Sequence, residues 1–374
     1  MTVSEPPEDT YAGLDQLAMR IPSRHEAAEV LDIEDAEPIY GHEAQSLIRG
    51  QPVLITGAGG SIGSELVRQM TLLGASSVVC VDRDEYGLYR LQLELTGRAL
   101  LTSPAMVLAD VADRHQMDRV MAEHRPMLVF HAAACKHLPL MERSPAQAII
   151  TNVEGTANVT AAAARSGVSR LVNISTDKAA DPSCVLGQTK RLAEDTTRRH
   201  GGPWMRVASV RFGNVYGSRG SFIETLAWQL SHDLPVTITD PGMVRYFMTI
   251  PQAAGLVIQA AVLADSISTF LLDMGQPYLL TDLVGRYAKA AGRGAPPITV
   301  TGRRPGEKTA ERLTGYRELP RPTSHPQILA VRAQDGATAA GIRNLVASAR
   351  AGGSPDELRA VLADLAGSPV GAAA

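Results

Sequence analysis

Short apolar runs alternate with helical patterns along most of the chain from about residue 50. The first run, Pro52 to Thr56, is compact and almost wholly apolar, which is typical of a strand buried on both faces of a sheet. Further strands are predicted at 77–82, 105–110, 127–134, 170–176 and 206–212, and helices at 85–95, 113–124, 145–166 and 184–200. This alternation with short connections predicts an α/β fold with a doubly wound parallel sheet.

The alternation of apolar runs and helical patterns changes at both ends of this region, and these changes predict the domain organisation. After residue 212 Pro and Gly become frequent, which indicates a smaller C-terminal lobe. In the tail, Ser354, Pro355 and Glu357 have the spacing of a capping box at the start of a helix. The predicted units are an N-terminal extension at 1–49 with disorder over 1–12, a Rossmann domain at 50–212, a mainly substrate-binding lobe at 213–333, and a helical tail at 334–374.

Composition excludes several classes of protein without selecting a function. Lys and Arg number 36 against 39 Asp and Glu, a net charge of −3, so binding to nucleic acid or to an anionic membrane through bulk charge is not expected. The longest apolar stretch, 253–264, is about half of a membrane span. The acidic start is unlike a signal peptide. Cys80, Cys135 and Cys184 have no CxxC spacing, so we expect no disulfide scaffold and no zinc site, and a reducing cytoplasm fits.

A glycine-rich segment joins the first predicted strand to the first helix. Glycine lets a pyrophosphate approach the backbone, and the helix N-terminus adds free N–H groups and a positive dipole end. A tight turn without a ligand has the same glycines, but here both the preceding strand and the following helix are present. The candidate dinucleotide contacts are Gly57, Gly59, Gly60, Ser61, Ile62 and Gly63.

Charged residues at the ends of the next two strands bear on the choice of cofactor. Asp82, at the end of the second strand, is placed to accept hydrogen bonds from the adenosine ribose, which favours NAD. Arg83 beside it could instead meet the 2′-phosphate of NADP, so both cofactors stay open. Asp110 and Val111 end the third strand, where the adenine would lie.

The segment 170–194 carries the candidate chemistry. A buried strand delivers Ser175, Thr176, Asp177 and Lys178 at its C-terminal end, where doubly wound folds place their ligands. A carboxylate beside an ammonium can act as an acid/base pair, although an Asp–Lys pair is more often a surface ion pair.

Nine ordered motifs resemble the CapD-like polysaccharide-biosynthesis family of extended short-chain dehydrogenase/reductases. They are ITGAGGSIGSELVRQ, HAAACKHLPLME, TNVEGTANV, STDKAADPSCVLGQTKRLAE, RFGNVYGSRGS, RYFMTIPQAAGLVIQA, LDMGQP, GRRPGEKT and SHPQI. The resemblance runs from about Ile33 to the final helix. Many relatives carry N-terminal membrane spans, and this sequence resembles the form without them.

The resemblance implies a UDP-N-acetylglucosamine 4,6-dehydratase with tightly bound, recycled NAD or NADP. In that reaction C4 is oxidised, water is eliminated across C5 and C6, and the hydride returns to C6. Thr176 would lie near the C4 hydroxyl, Asp177 and Lys178 would form the elimination pair, and Lys190 would bind the nicotinamide ribose. As base at C5, Lys178 would need a lowered pKa. Ala132, in the HAAACKH motif, is a further predicted cofactor contact.

One position departs from the family pattern and keeps other functions open. Leu186 stands four residues before Lys190, where related enzymes have tyrosine or methionine, and leucine cannot carry a proton. The alternatives are a UDP-sugar 4-epimerase, a 5,6-dehydratase, or a nucleotide-sugar-binding protein without catalysis. Cys135 and Cys184 could line the sugar pocket, although small buried residues need no such role.

The resemblance also supplies a substrate site and partners. UDP-sugar contacts are expected at Lys136, Asn214, Arg219, Arg245, Arg304 and Glu307. Arginine suits a diphosphate because its guanidinium binds phosphate oxygens in pairs. We expect a homo-oligomer, a dimer or larger, and neither nucleic acid nor a membrane as partner.

Overall fold

The computed structural model of the protein describes residues 24–33, 40–265, 268–332 and 336–368. The disorder expected for residues 1–12 lies outside these ranges.

A nine-stranded sheet forms the centre of the fold. The strands of the chain are β1 (Pro52–Thr56), β2 (Ser77–Asp82), β3 (Met106–Leu108), β4 (Leu128–His131), β5 (Arg170–Ile174), β6 (Arg206–Arg211), β7 (Asn214–Val215), β8 (Val236–Ile238), β9 (Val244–Arg245), β10 (Phe247–Met248), β11 (Ser268–Leu272), β12 (Tyr278–Leu279), β13 (Ile298–Val300), β14 (Arg321–Pro322) and β15 (Ile328–Arg332). The sheet order is β14-β15-β11-β6-β5-β4-β1-β2-β3. From β3 to β11 all neighbours are parallel, whereas β15 and β14 are antiparallel additions at one edge.

The six strands predicted from apolar runs are all present. Their order, 3-2-1-4-5-6, is that of a Rossmann fold, and the direction of winding reverses between β1 and β4. The carboxyl ends of these two strands, at Thr56 and His131, are paired in register. A ligand crevice is therefore expected above this point.

Helices cover both faces of the sheet. They are α1 (Arg24–Leu31), α2 (His42–Ile48), α3 (Ser61–Leu72), α4 (Glu85–Thr96), α5 (Arg114–His124), α6 (Leu138–Arg143), α7 (Pro145–Ala148), α8 (Gly155–Arg165), α9 (Val185–His200), α10 (Phe222–Ser231), α11 (Ile250–Leu263), α12 (Leu280–Ala290), α13 (Ala339–Arg350) and α14 (Pro355–Leu365). One core joins α3 and α11 to one face, and a second joins α5 and α8 to the other. The helix predicted at 145–166 contains a π-helical turn, Ile149–Glu154, between α7 and α8.

The chain after residue 212 is divided between the sheet and a smaller lobe. Helices α10 and α12, with β8, form the core of that lobe together with α1 from the N-terminal extension. The Tyr278 hydroxyl donates to the Leu31 carbonyl oxygen at 2.6 Å and so fixes α1 there. By contrast, α11, β11, β14 and β15 return to the main sheet and its covering layer. The 213–333 segment therefore builds the lobe and also completes the sheet.

The C-terminal helices pack against the side of the fold that carries α9. Both bonds of the predicted capping box are present: the Glu357 N–H donates to the Ser354 hydroxyl at 3.3 Å, and the Ser354 N–H donates to the Glu357 carboxylate at 3.2 Å. Leu345, Leu358 and Leu362 bury their side chains in a core shared with Leu192 of α9. Among the described residues, every helix is too short or too polar to cross a bilayer.

Candidate active site

The loop after β1 packs closely on the neighbouring backbone beside the first turn of α3. Gly57 has a φ of +69°, and a Cβ there would lie 2.6 Å from the backbone nitrogen of Ala133. A Cβ on Gly63 would lie 2.0 Å from the Gly57 carbonyl oxygen. No side chain fits at these two positions. Because the first N–H groups of a helix have no partner within the helix, this loop can bind a phosphate group.

Asp82 is held at the edge of the same loop. Its Oδ2 accepts a hydrogen bond from the Gly59 N–H at 2.8 Å, and its Oδ1 accepts one from the Asp84 N–H at 2.9 Å. The neighbouring Arg83 points to Asp110, with 3.6 Å between guanidinium and carboxylate. The carboxylate of Asp82 therefore lies in the cavity lining beside the glycine loop, and the cation next to it in sequence has an anionic partner.

A cavity of about 870 Å³ opens at the carboxyl ends of β1, β2, β4, β5 and β6, at the reversal of the sheet. Its volume lies toward the upper end of the roughly 300–1,000 Å³ typical of small-molecule sites. The predicted cofactor residues that line it are Gly57, Gly60, Ser61, Ile62, Gly63, Asp82, Arg83, Asp110, Val111 and Ala132. The predicted catalytic and substrate residues that line it are Thr176, Lys178, Lys190, Lys136, Asn214 and Arg219. Gly59, Asp177, Arg245, Arg304 and Glu307 lie outside its lining.

The acid/base candidates follow directly after β5, in and beside a 3₁₀ turn at Asp177–Ala179. The Asp177 side chain is only 1% exposed, and its Oδ1 lies 3.1 Å from Lys178 Nζ. The Thr176 hydroxyl donates to the same oxygen at 2.9 Å. Asp177 Oδ2 has no hydrogen-bond partner among the described residues. A Cβ on residue 213 would lie 3.3 Å from this oxygen. Because residue 213 is glycine, no side chain crowds the oxygen from that direction.

Lys178 has a second carboxylate nearby, which changes the charge expected for it. Glu311 Oε1 lies 3.8 Å from Lys178 Nζ. Burial alone would lower the pKa of Lys178, but the charges of Asp177 and Glu311 outweigh it and the pKa is raised. The expectation of a lowered pKa is therefore wrong for this structure: Lys178 is an ammonium between two acids.

Helix α9 presents Lys190 and Leu186 to the cavity one turn apart. Burial lowers the pKa of Lys190 to about 8, against the opposing effect of Glu194. His131 lies beneath them, with its Nδ1 2.7 Å from the Thr56 hydroxyl and its Nε2 2.9 Å from the Thr156 hydroxyl. Burial, with the charge of Lys190 added, lowers the pKa of His131 to about 3, so this histidine is neutral.

Two residues of the site were missed by the sequence analysis. Asn152, in the π-helical turn, accepts from the Cys135 N–H at 2.8 Å and donates to the Thr189 hydroxyl at 3.1 Å, so it joins the cavity wall to α9. Asn152 belongs to the motif TNVEGTANV, but the sequence does not show that its side chain is buried. Glu311 follows the quoted motif GRRPGEKT, but nothing in the sequence indicates that it meets Lys178.

The two cysteines of interest differ in position. Cys135 lines the cavity, as the sequence analysis allowed. Cys184 instead caps the start of α9, where its sulfur accepts from the Gly187 N–H at 3.4 Å. Burial raises the pKa of Cys184 to about 11, so its thiol is neutral.

Several predicted substrate contacts have other partners. The Arg219 N–H donates to the Ser61 hydroxyl at 3.0 Å, and its guanidinium donates to the Gly59 carbonyl oxygen, so this residue lies over the glycine loop. Arg245 is buried and donates to the carbonyl oxygens of Val244, Thr309 and Lys308 at 2.7, 2.9 and 2.8 Å. The Arg245 guanidinium thus braces the backbone of residues 308–309, and its contact with a diphosphate stays a prediction.

The two remaining substrate candidates lie on a loop outside the cavity lining. Arg304 is exposed, and its backbone N–H donates to the Glu307 carboxylate at 3.2 Å. Glu307 also lies 3.9 Å from the Arg245 guanidinium. The structure therefore places Arg304, Glu307 and Arg245 next to one another, outside the residues that line the cavity.

A family model described as "Polysaccharide biosynthesis protein" matches residues 53–333. The probable polysaccharide biosynthesis protein EpsC of Bacillus subtilis is 41% identical over 326 residues, which are 83% of this chain and 54% of that protein. The chain thus spans about half the length of this relative. A UDP-glucose 4-epimerase of Rickettsia rickettsii is 30% identical over 275 residues, 71% of this chain and 78% of that protein. The UDP-N-acetylglucosamine 4,6-dehydratase (inverting) of Campylobacter jejuni is 32% identical over 221 residues, 57% of this chain and 64% of that protein.

A solved structure shares the fold over most of both chains. The X-ray structure of Pen from Bacillus thuringiensis matches with a TM-score of 0.68 and 29% identity, covering 78% of this chain and 89% of that chain.

Proposed function

The chain belongs to the polysaccharide biosynthesis protein family, and from that premise we propose that it is a nucleotide-sugar 4,6-dehydratase acting on UDP-N-acetylglucosamine. The observation that carries the proposal is the contact between Asp177 and Lys178, 3.1 Å long, beside a cavity that also contains the glycine loop. An acid and a base next to a dinucleotide site are what elimination of water from an oxidised sugar requires.

The residues around the glycine loop fit NAD(P). Gly57 and Gly63 let the loop pack closely on the neighbouring backbone at the cavity, where the N–H groups at the start of α3 would meet a diphosphate, and Asp82 would accept from a ribose hydroxyl. When bound, NAD(P) takes up a hydride and gives it back. NAD is favoured over NADP because Asp82 would repel a 2′-phosphate, and because Arg83 is already paired with Asp110.

Asp177 and Lys178 divide the proton transfers between them. In the resting site Lys178 is protonated, since its pKa is raised, and it loses that proton to solvent before it acts as a base. Asp177, 3.1 Å from it, becomes a carboxylic acid when it takes the proton of the C4 hydroxyl. The amine lone pair can then take the proton from C5, while the acid gives its proton to the C6 hydroxyl, which leaves as water. One ion pair thus supplies both the base for the C5 proton and the acid for the C6 hydroxyl.

Proton removal at the C4 hydroxyl falls to the same residues. Leu186 occupies the place on α9 from which a tyrosine would reach the sugar, and it has no proton to exchange. Thr176 lines the cavity and its hydroxyl is bonded to Asp177, so a path from the C4 hydroxyl leads through Thr176 to the carboxylate. Lys190, which lines the cavity one turn after Leu186, would bind the nicotinamide ribose and favour a nearby alkoxide.

A 4-epimerase is the second candidate, favoured by the identity with the Rickettsia rickettsii enzyme. Leu186 counts against it, because an epimerase would normally use the missing tyrosine. A 5,6-dehydratase and a binding protein without catalysis are the remaining alternatives.

Incubation of the protein with UDP-N-acetylglucosamine and NAD in deuterated water separates these functions. The dehydratase gives a 4-keto product that has lost one water and carries deuterium at C5, as read by mass spectrometry and NMR. An isomeric product that keeps its water would show the epimerase instead. Bound sugar that stays unchanged would show binding without catalysis.

A further inference from the structure

A buried carboxylate from a distant part of the chain faces the lysine of the proposed elimination pair. The Glu311 side chain is 3% exposed, and its Oε1 lies 3.8 Å from Lys178 Nζ. Its Oε2 has no hydrogen-bond partner among the described residues. An ionised carboxylate is costly to bury unless a cation is near, and Lys178 is the cation that Glu311 meets at salt-bridge distance.

The other charged and titratable groups around Lys178 come from three further elements. Asp177, next to it in sequence, lies 3.1 Å from Nζ. The positive charge of Arg245, on β9, lowers the pKa of Lys178, and burial lowers it too. Cys184, before α9, also interacts with Lys178, but its pKa is raised to about 11 and it is neutral. Two carboxylates therefore face one ammonium, and Glu311 is the member of this group that the proposed chemistry does not use.

The segment that carries Glu311 is fixed to the loop after Lys178. The Ser183 hydroxyl donates to the Gly306 carbonyl oxygen at 2.9 Å. Lys308 Nζ donates to the Asp181 carbonyl oxygen at 2.6 Å, and the Tyr316 N–H donates to the Asp181 carboxylate at 2.8 Å. These bonds lie on both sides of Glu311 in sequence, so its carboxylate has a defined position relative to Lys178.

We propose that Glu311 is a positioning residue, which holds Lys178 as an ammonium between two carboxylates and sets the pH above which Lys178 can accept a proton. The consequence for catalysis rests on the proposed function, in which Lys178 takes the C5 proton. The effect on the charge of Lys178 does not rest on it. The raised pKa of Lys178 agrees with this role.

The charge of Lys178 can be measured without substrate. We would label the amines of the full chain with acetic anhydride at a series of pH values and quantify acetylation of Lys178 by mass spectrometry. In Glu311→Gln the midpoint of Lys178 labelling moves to lower pH by about one unit or more, so about tenfold more neutral amine is present at a given pH. Glu311→Asp keeps the charge at a longer distance, so it gives a smaller shift in the same direction. Glu123→Gln, the same change at an exposed position on α5, leaves the midpoint where it was.

The pH profile of deuterium incorporation at C5 is the second measurement. In Glu311→Gln its acid limb moves to lower pH together with the labelling midpoint, a result that a purely structural role would not give. A labelling midpoint unchanged in folded Glu311→Gln, or in Glu311→Asp if the Gln variant does not fold, overturns the proposal. If the midpoint shifts but the wild-type protein exchanges no C5 proton at any pH, the positioning role stands and the dehydratase function fails.

Discussion

Replacing Asp177 by asparagine removes one charge from the proposed elimination pair and keeps its shape. The amide oxygen can still accept the Thr176 hydroxyl, which lies 2.9 Å from Oδ1. The lost attraction between Asp177 and Lys178, 3.1 Å apart, is about 5 kcal/mol at an effective dielectric constant of about 20. The variant has neither a proton acceptor for the C4 hydroxyl nor an acid for the C6 hydroxyl. General acid–base groups contribute about 10²–10⁴-fold, so we expect turnover to fall by about that factor.

The assay compares dehydration of UDP-N-acetylglucosamine with binding of NAD to the same preparation. Cofactor affinity should stay within about threefold of the wild-type value, because Asp177 lies outside the cavity lining while the glycine loop is untouched. Asp282→Asn, the same change at an exposed position on α12, is the control and should leave both quantities unchanged. Unaltered turnover in Asp177→Asn would refute the assignment of the acid, and parallel loss of NAD binding would point to a folding defect instead.

Three further changes test the cofactor side of the site. Gly63→Ala places a Cβ 2.0 Å from the Gly57 carbonyl oxygen, so NAD affinity measured by calorimetry should fall more than about tenfold, whereas Gly285→Ala, in open space on α12, should leave it unchanged. Asp82→Asn removes the charge that repels a 2′-phosphate, so the ratio of NADP to NAD affinity should rise by about tenfold or more, and a constant ratio would contradict the proposed role. The pKa of Lys190 is lowered from 10.5 to about 8 in the folded protein. Below pH 8, where Lys190 is protonated in both the folded and the unfolded chain, this shift destabilises the fold by about 3 kcal/mol. Between pH 8 and 10.5 the unfolded chain binds more protons than the folded protein, so the free energy of unfolding of the wild type should rise with pH over this range. Lys190→Met should have a higher free energy of unfolding at pH 7 and should not show this rise. Urea titrations at several pH values measure both.

The parallel strands could be predicted because each is buried on both faces. The runs at 52–56 and 77–82 match β1 and β2 residue for residue. The run at 105–110 is shortened to β3, Met106–Leu108, because it forms the sheet edge and its side chains are only partly covered. The π-helical turn at Ile149–Glu154 could not be predicted, since a single inserted residue hardly alters a helical apolar pattern.

The cofactor side of the site was more predictable than the substrate side. The glycines and Asp82 lie within one β–α–β unit, formed by β1, α3 and β2, where sequence spacing largely determines geometry. The charge of Lys178 depends on Glu311, which comes close only through the docking of a distant segment. Arg245 likewise finds its partners in backbone carbonyl groups, which every residue carries and no sequence pattern reveals.

The late arrival of β11 at the sheet has a consequence for synthesis of the protein. Strands β1 to β6 can associate as soon as they leave the ribosome, but the outer edge of β6 pairs with β11, which ends only at Leu272. While residues 212–272 are being translated, the nascent chain has an open strand edge with the apolar residues Val207 and Val210 beside it. Such edges promote aggregation, so the growing chain is exposed to this hazard until β11 covers β6.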